Sequence, residues 1–402
     1  MDQTQKKPQL LILMLLFSFA NAMGIMYTAA LPELTKSLHI TKFQTQDTFS
    51  IYVLGCLLAQ LFYAPFANAL GRKPAVYIGG SLAIIGSLLC LIAVEASSFS
   101  LLLVGRGLTA LGAGCGVILT NTMIADSFPF AEAKKFFSFL LGGFAIFPSV
   151  GITIGGFITE YLSWKGCFYY MLFYSLFVVS LSILLPETAK EKNLSHLNVK
   201  KIAKSYFKQA RNIPFLFYAV IVAFACNILY VLSSEAPFIA THQMHISPDH
   251  FGSLALIPYA GLFLGGILSG KLGHRFSAKI LLLVGALVFL AAAGIMWACF
   301  ANNIITIATL FGFPFLVFFS FPIIVSNGQT LSLAVSEDKA YASSIMSMFQ
   351  FAFIFVSILS LRCFSPENAA ALPIMYTISG ILMLVFWCII KKIRSHPHVE
   401  HL

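Results

Sequence analysis

Twelve long apolar stretches divide this sequence, at 9–31, 48–67, 75–94, 99–124, 136–158, 166–185, 213–233, 251–270, 280–300, 304–326, 340–361 and 369–390. A hydrocarbon layer about 30 Å thick is crossed by roughly 20 residues of helix. Inside that layer a segment has to satisfy its own backbone donors and acceptors, which for stretches of this length means an α-helix. Eleven of the twelve contain no Asp, Glu, Lys or Arg; the exception is span four, which holds Arg106. Of the 402 residues 59% are hydrophobic and 10% are charged, too little polar surface for a water-soluble domain. The expected fold class is an all-α integral membrane protein with twelve transmembrane helices.

The net charge of +10 points to topology and not to nucleic acid, because the basic residues cluster between apolar runs. With the N-terminus inside, 20 of the 25 Lys and Arg residues fall in cytoplasmic segments and 5 do not. That bias places both termini in the cytoplasm, which requires an even number of spans. Lys6 and Lys7 precede a first run that is longer than a signal-peptide core and has no A-x-A site, so it is read as helix one. The longest break, 186–212, carries seven basic residues. It divides an N-terminal six-helix bundle, 1–185, from a C-terminal bundle with a short tail, 213–402. Within this linker Asn198–Gln209 reads either as a basic amphipathic helix on the inner leaflet or as a solvated connection.

The halves echo each other. Gly71-Arg72-Lys73 follows span two, and Gly273-His274-Arg275 follows span eight, 202 positions later. Tyr27 and Pro32 end span one; Tyr230 and Pro237 end span seven. Repeated halves around a central site are a transporter architecture.

The segments that follow are more specific. Tyr63–Pro74 (YAPFANALGRKP) carries a glycine turn at Gly71 with Arg72 and Lys73 behind it. Arg106–Asp126 (RGLTALGAGCGVILTNTMIAD) places Gly107, Gly112, Gly114 and Gly116 where small residues let helices pack closely. Phe147–Gly156 (FPSVGITIGG) contains Gly151, Gly155 and Gly156, with Pro148 a turn earlier. With Leu185-Pro186-Glu187-Thr188, Glu235-Ala236-Pro237-Phe238 and Ala340–Gln350, these segments resemble the major facilitator superfamily. They are most similar to its twelve-span drug:proton antiporters of the bicyclomycin-resistance type, over nearly the whole chain. The resemblance implies two pseudo-symmetric six-helix bundles and alternating access. It makes Asn68, Gly71, Arg72 and Lys73 a conformational motif of the loop between spans two and three, and Pro148, Gly151, Gly155 and Gly156 one of span five. The chain departs from that pattern at Asn68, where the family has aspartate; at Ile152, where it has proline; and at Ile25, where relatives carry an acidic residue.

A charged group within lipid costs at least about 2.5 kcal/mol unless it meets water or a partner. Arg106 therefore either faces the cavity, near an anionic ligand or a proton path, or snorkels outward as a structural residue. No carboxylate lies inside the apolar stretches, which leaves Glu235, Glu33 and Asp126, at span ends, as proton-coupling candidates. Asn21 and Thr28, Gln60 and Tyr63, and Asn227 and Tyr230 each share a helix face. With Tyr27, Arg106, Asn121 and Gln350 they are the substrate-cavity candidates, each alternatively an interhelix hydrogen-bonding group. The eight cysteines form no CxxC pair and read as packing residues. No catalytic motif, metal site or cofactor motif is found. The expected function is secondary active transport of a small organic molecule across the inner membrane by a monomer. Efflux coupled to protons is favoured, with uncoupled uptake of a neutral or anionic metabolite as the alternative and a membrane enzyme or sensor as a distant one.

Overall fold

The computed structural model describes residues 8–128, 130–189, 192, 211–336 and 339–394, and every regular element among them is helical. Eleven segments are long and apolar enough to cross a membrane; a shorter apolar helix, Gly166–Ser182, stands in the place of span six and completes twelve. Segment Asn198–Gln209 and the end of the C-terminal tail, 395–402, lie outside the described residues.

The helices outrun the apolar stretches. Span one covers Leu10–Ser37, span four Phe99–Ser127 and span seven Ile213–His242. Hydropathy drops at the first polar residue, whereas an established helix adds one hydrogen bond per residue and continues until a turn signal stops it. Glu33, Asp126 and Glu235 lie beyond the apolar stretches but on the same helical segments, near their ends.

Several spans are discontinuous. Span one consists of helix Leu10–Ile25, a 3₁₀ turn Thr28–Ala30 and helix Leu31–Ser37. Pro32 sits in the first turn of the new helix, where its missing N–H costs nothing. Span four breaks at Gly114, between Phe99–Ala113 and Cys115–Ser127. Span seven breaks at Asn227, between Ile213–Cys226 and Ile228–His242. Span ten opens with a π-helical turn, Ala308–Gly312, ahead of Phe313–Ala334. The ring of Pro314 would press on the carbonyl four residues back in a regular α-helix, and the wider turn relieves that contact.

The chain forms two compact units, Met1–Val199 with Ile246–Ser253, and Lys200–His245 with Leu254–Leu402. Segment Ile246–Ser253 clusters with the first unit, where Thr153 Oγ1 donates to the Gly252 carbonyl at 2.9 Å. Each unit has one central helix. The apolar window of span one is 78% buried and that of span seven 89%, against 33–67% for the other candidate spans. Large apolar side chains such as Ile92, Phe173 and Leu184 stay exposed on outer faces, as expected where the solvent is lipid. All eight cysteines are free, and five are buried.

Candidate functional site

The first unit is organised around Arg106, which is fully buried. Its Nη1 donates to the Met23 carbonyl and its Nη2 to the Gly24 carbonyl, each at 3.0 Å. Both carbonyls belong to the last turn of Leu10–Ile25, whose oxygens the break in span one removes from the i→i+4 ladder. The guanidinium also lies between two rings, 4.3 Å from the centroid of Tyr27 and 4.3 Å from that of Tyr52. Tyr52 reaches the same helix, donating its hydroxyl to the Ala20 carbonyl at 2.6 Å. Arg106 thus caps a broken helix from inside the bundle. This placement differs from both alternatives read from sequence, a cavity-facing charge and a snorkelling one. The position of the break was missed, and with it the carbonyls that a fork-shaped cation can hold.

Around this centre Tyr27 shares a short hydrogen bond with Thr48, 2.6 Å between hydroxyls, and stacks on Phe49. Thr28, also buried, donates to the Ile25 carbonyl. Asn21 is buried on the same span. Gln60 is buried on span two and donates to the Cys56 carbonyl of its own helix at 3.4 Å, while Tyr63 packs edge-on against Phe66. Asn121 is half-buried. Gly155 lies directly against the Met26 carbonyl at the break in span one, whereas Gly151, one turn earlier, faces the Met26 side chain at ordinary distance. Gly156 packs on Pro248 and Gly252. Pro148 is buried inside helix Phe130–Tyr161.

The second unit has a polar centre at the break in span seven. Asn227 Nδ2 donates to Ser357 Oγ at 3.1 Å and to Ser379 Oγ at 2.8 Å, joining spans seven, eleven and twelve. The Tyr376 hydroxyl donates to the Ile228 carbonyl at 2.7 Å, on the far side of the same break. Tyr230 and Glu235 follow on the C-terminal half of this helix, 2% and 1% exposed. Gln350 is half-buried on span eleven. Sequence reasoning found Asn227 but missed both serines and Tyr376, because nothing in an apolar helix marks which of its hydroxyls will be shared.

A charged cluster ties the ends of spans two, three, four and six. Gly71 has φ 109° and no Cβ, and the Glu187 carboxylate fills the space a Cβ would need. Glu187 accepts from the backbone amides of Arg72 at 3.0 Å and Lys73 at 3.4 Å. A carboxylate from the end of span six thereby caps the helix Arg72–Glu95, whose own N-cap, Gly71, has no side chain to offer. Arg72 Nε pairs with Asp126 at 2.9 Å, its Nη1 donates to Asn68 Oδ1 at 3.1 Å, and Thr188 donates to Asp126 at 3.1 Å. Lys73 Nζ donates to the Ile183 carbonyl at 2.8 Å. Asp126 is thus held in an ion pair at a helix end. Glu33, near the opposite end of the first unit, is half-buried and faces the Trp164 backbone amide, with Glu160 and Lys36 beside it.

Burial alone would raise the Glu187 carboxyl, but the amides of Ala189, Arg72 and Lys73 and the ammonium of Lys192 outweigh it, and its pKa lies below the ordinary 4.5. A carboxylate with a lowered folded-state pKa stabilises the fold above its unfolded value and loses that contribution as pH falls through the folded one. Purified wild type is therefore expected to melt above a Glu187→Gln variant at neutral pH, with the gap closing below pH 4.5. A gap of constant size across that range would show that the capping carboxylate contributes nothing through its charge.

Comparison with known proteins meets this geometry. A family model described as Major Facilitator Superfamily matches residues 10–361. An uncharacterized transporter of Rickettsia felis is 30% identical over 314 residues, 75% of each chain. The bicyclomycin resistance protein homolog of Haemophilus influenzae is 25% identical over 394 residues, covering 94% of this chain and 95% of its own. Multidrug resistance protein D of Escherichia coli is 22% identical and covers 96% of each chain. The crystal structure of a D-xylose–proton symporter superposes with a TM-score of 0.75 over 94% of this chain and 97% of its own, at 14% identity.

Proposed function

We propose that this chain, which belongs to the Major Facilitator Superfamily, exports a small organic molecule in exchange for protons by alternating access. The observation that carries the coupling is Glu235, a carboxylate 1% exposed within a membrane-spanning helix. An ionisable group inside a span is retained at a cost of several kcal/mol, about 2.5–3.5 on insertion scales, and marks an ion or proton path by default. Proton antiport needs one group that gains and loses a proton as access alternates, and Glu235 supplies it. Asp126 is tied to Arg72 and Glu33 stands near the end of its span, so neither is the first choice.

The export direction follows the relatives whose names record bicyclomycin and multidrug resistance and which match nearly the full length. Discontinuous helices near the middle of a transporter are where substrates bind. On that principle we take as candidate substrate contacts, each within its own unit, Asn21, Tyr27 and Thr28 on span one with Gln60, Tyr63 and Asn121 on neighbouring spans of the first unit, and Tyr230 on span seven with Gln350 on span eleven of the second. Arg106 has its guanidinium turned to carbonyls and rings, so it is a scaffold of that site and not its anion receptor. The protein works as a monomer in the inner membrane with both termini in the cytoplasm, the side to which its basic residues belong.

The test is flux of bicyclomycin in proteoliposomes under an imposed pH gradient, with wild type beside Glu235→Gln. Wild type accumulates the compound against its concentration when the gradient is present. The variant is expected to lose gradient-driven accumulation while keeping bicyclomycin exchange. Wild-type flux indifferent to the gradient would overturn proton coupling, and a fully coupled Glu235→Gln would remove Glu235 from it.

A further inference from the structure

Each unit has an interrupted first helix, and the two breaks lie about 200 positions apart, at Met26–Tyr27 and at Asn227. The last carbonyls of an interrupted helix are outside its ladder and carry the negative end of its dipole. In the first unit a resident cation meets that end: Arg106 donates to the Met23 and Gly24 carbonyls.

What stands at the second break is Asn227. Both hydrogens of its Nδ2 are directed to serine hydroxyls, Ser357 at 3.1 Å and Ser379 at 2.8 Å, which fixes the amide. The other end of the amide, Oδ1, is buried and has no hydrogen-bond partner among the described residues, in a residue 1% exposed. A buried acceptor in that condition is a place where an ion or water belongs.

We infer that Asn227 Oδ1, with the carbonyls released at the end of Ile213–Cys226, binds a small monovalent inorganic cation, Na⁺ or K⁺, in the core of the second unit. An amide oxygen and backbone carbonyls are hard, uncharged donors. They suit an alkali cation and fall short of the carboxylate count that a divalent ion demands. The dipole of the ended helix adds attraction for positive charge. Ser357 and Ser379 are positioning residues: they hold the amide so that its oxygen stays free for the ion. Cation binding here requires no flux and stands or falls apart from the export reading.

The experiment is a thermal melt of the purified full-length protein at fixed pH and equal ionic strength in NaCl, KCl or choline chloride. Wild type is expected to melt about 2–4 °C higher in Na⁺ or K⁺ than in choline, with a saturable dependence on cation concentration. Asn227→Leu, close in volume, is expected to lose the cation-specific part of the shift. Ser379→Ala is expected to raise the half-saturating concentration several-fold. Identical wild-type midpoints in the three salts overturn the site, as does a full cation-specific shift surviving in Asn227→Leu. If Asn227→Leu yields no folded protein, an unchanged half-saturating concentration in Ser379→Ala overturns it instead.

Discussion

Replacing Arg106 by alanine is expected to destabilise the first unit by about 3–5 kcal/mol, the scale on which buried ionic groups and large core side chains fail when truncated. Two charge-assisted hydrogen bonds, to Met23 and Gly24, disappear together with ring contacts to Tyr27 and Tyr52. Each such hydrogen bond contributes about 1.5–3 kcal/mol, and a desolvated cation over a ring about 2 kcal/mol. Against this stands the cost of keeping a guanidinium out of water, several kcal/mol, so the net lies below the sum. The loss is nevertheless large, because alanine leaves two carbonyls at a helix break with neither ladder nor donor. Arg106→Lys is expected to be intermediate: an ammonium is a point charge without the planar fork that spans both oxygens. Melting of the purified variants ranks them, and an Arg106→Ala protein that melts with wild type would refute the capping role. If Arg106→Ala is destabilised yet residual folded protein still exports, the guanidinium is a scaffold and not a substrate contact.

The second large effect belongs to span five. A Cβ on Gly155 would collide with the Met26 carbonyl, a backbone atom at the break in span one that cannot swing aside as a side chain can. Gly155→Ala is expected to cost about 1–3 kcal/mol through forced backbone movement, and Gly155→Leu to abolish folded protein. Gly151, one turn earlier on the same helix, is the internal control. A Cβ there meets Met26 Cβ at 3.4 Å, an ordinary contact, and alanine removes the entropic cost of a helical glycine, about 0.5–1 kcal/mol. Gly151→Ala should therefore melt with or slightly above wild type. If the two substitutions behave alike, close backbone approach is not what the glycine at 155 provides. The resemblance to the antiporter signature picked out both glycines and could not rank them.

The loop after span two illustrates how far sequence reached. Gly71 reads as a turn and Arg72 and Lys73 as inner-face charges from the residues alone, while the resemblance picks out the four-residue motif and places Asp126 at the end of span four. That Glu187 would be the cap of the helix Arg72–Glu95 was not, since the two lie 115 positions apart. Asn68, the departure from the family aspartate, still meets Arg72, through its amide oxygen at 3.1 Å. For the polar candidates the limit is similar. Asn227 stood out as an amide in an apolar span, but its partners Ser357 and Ser379 are 130 and 152 positions away.

What the sequence by itself determined is the number and order of the membrane helices. That property is local: about 20 apolar residues must satisfy their own backbone in lipid, whatever their neighbours are. Only the tertiary structure decided where helices one and seven break, that Glu235 is buried, and that Arg106 turns inward onto carbonyls 83 and 82 positions earlier. A buried charge or amide takes whichever partner packing brings within about 3 Å, and that partner is a property of the assembled bundle, not of the segment that carries the charge.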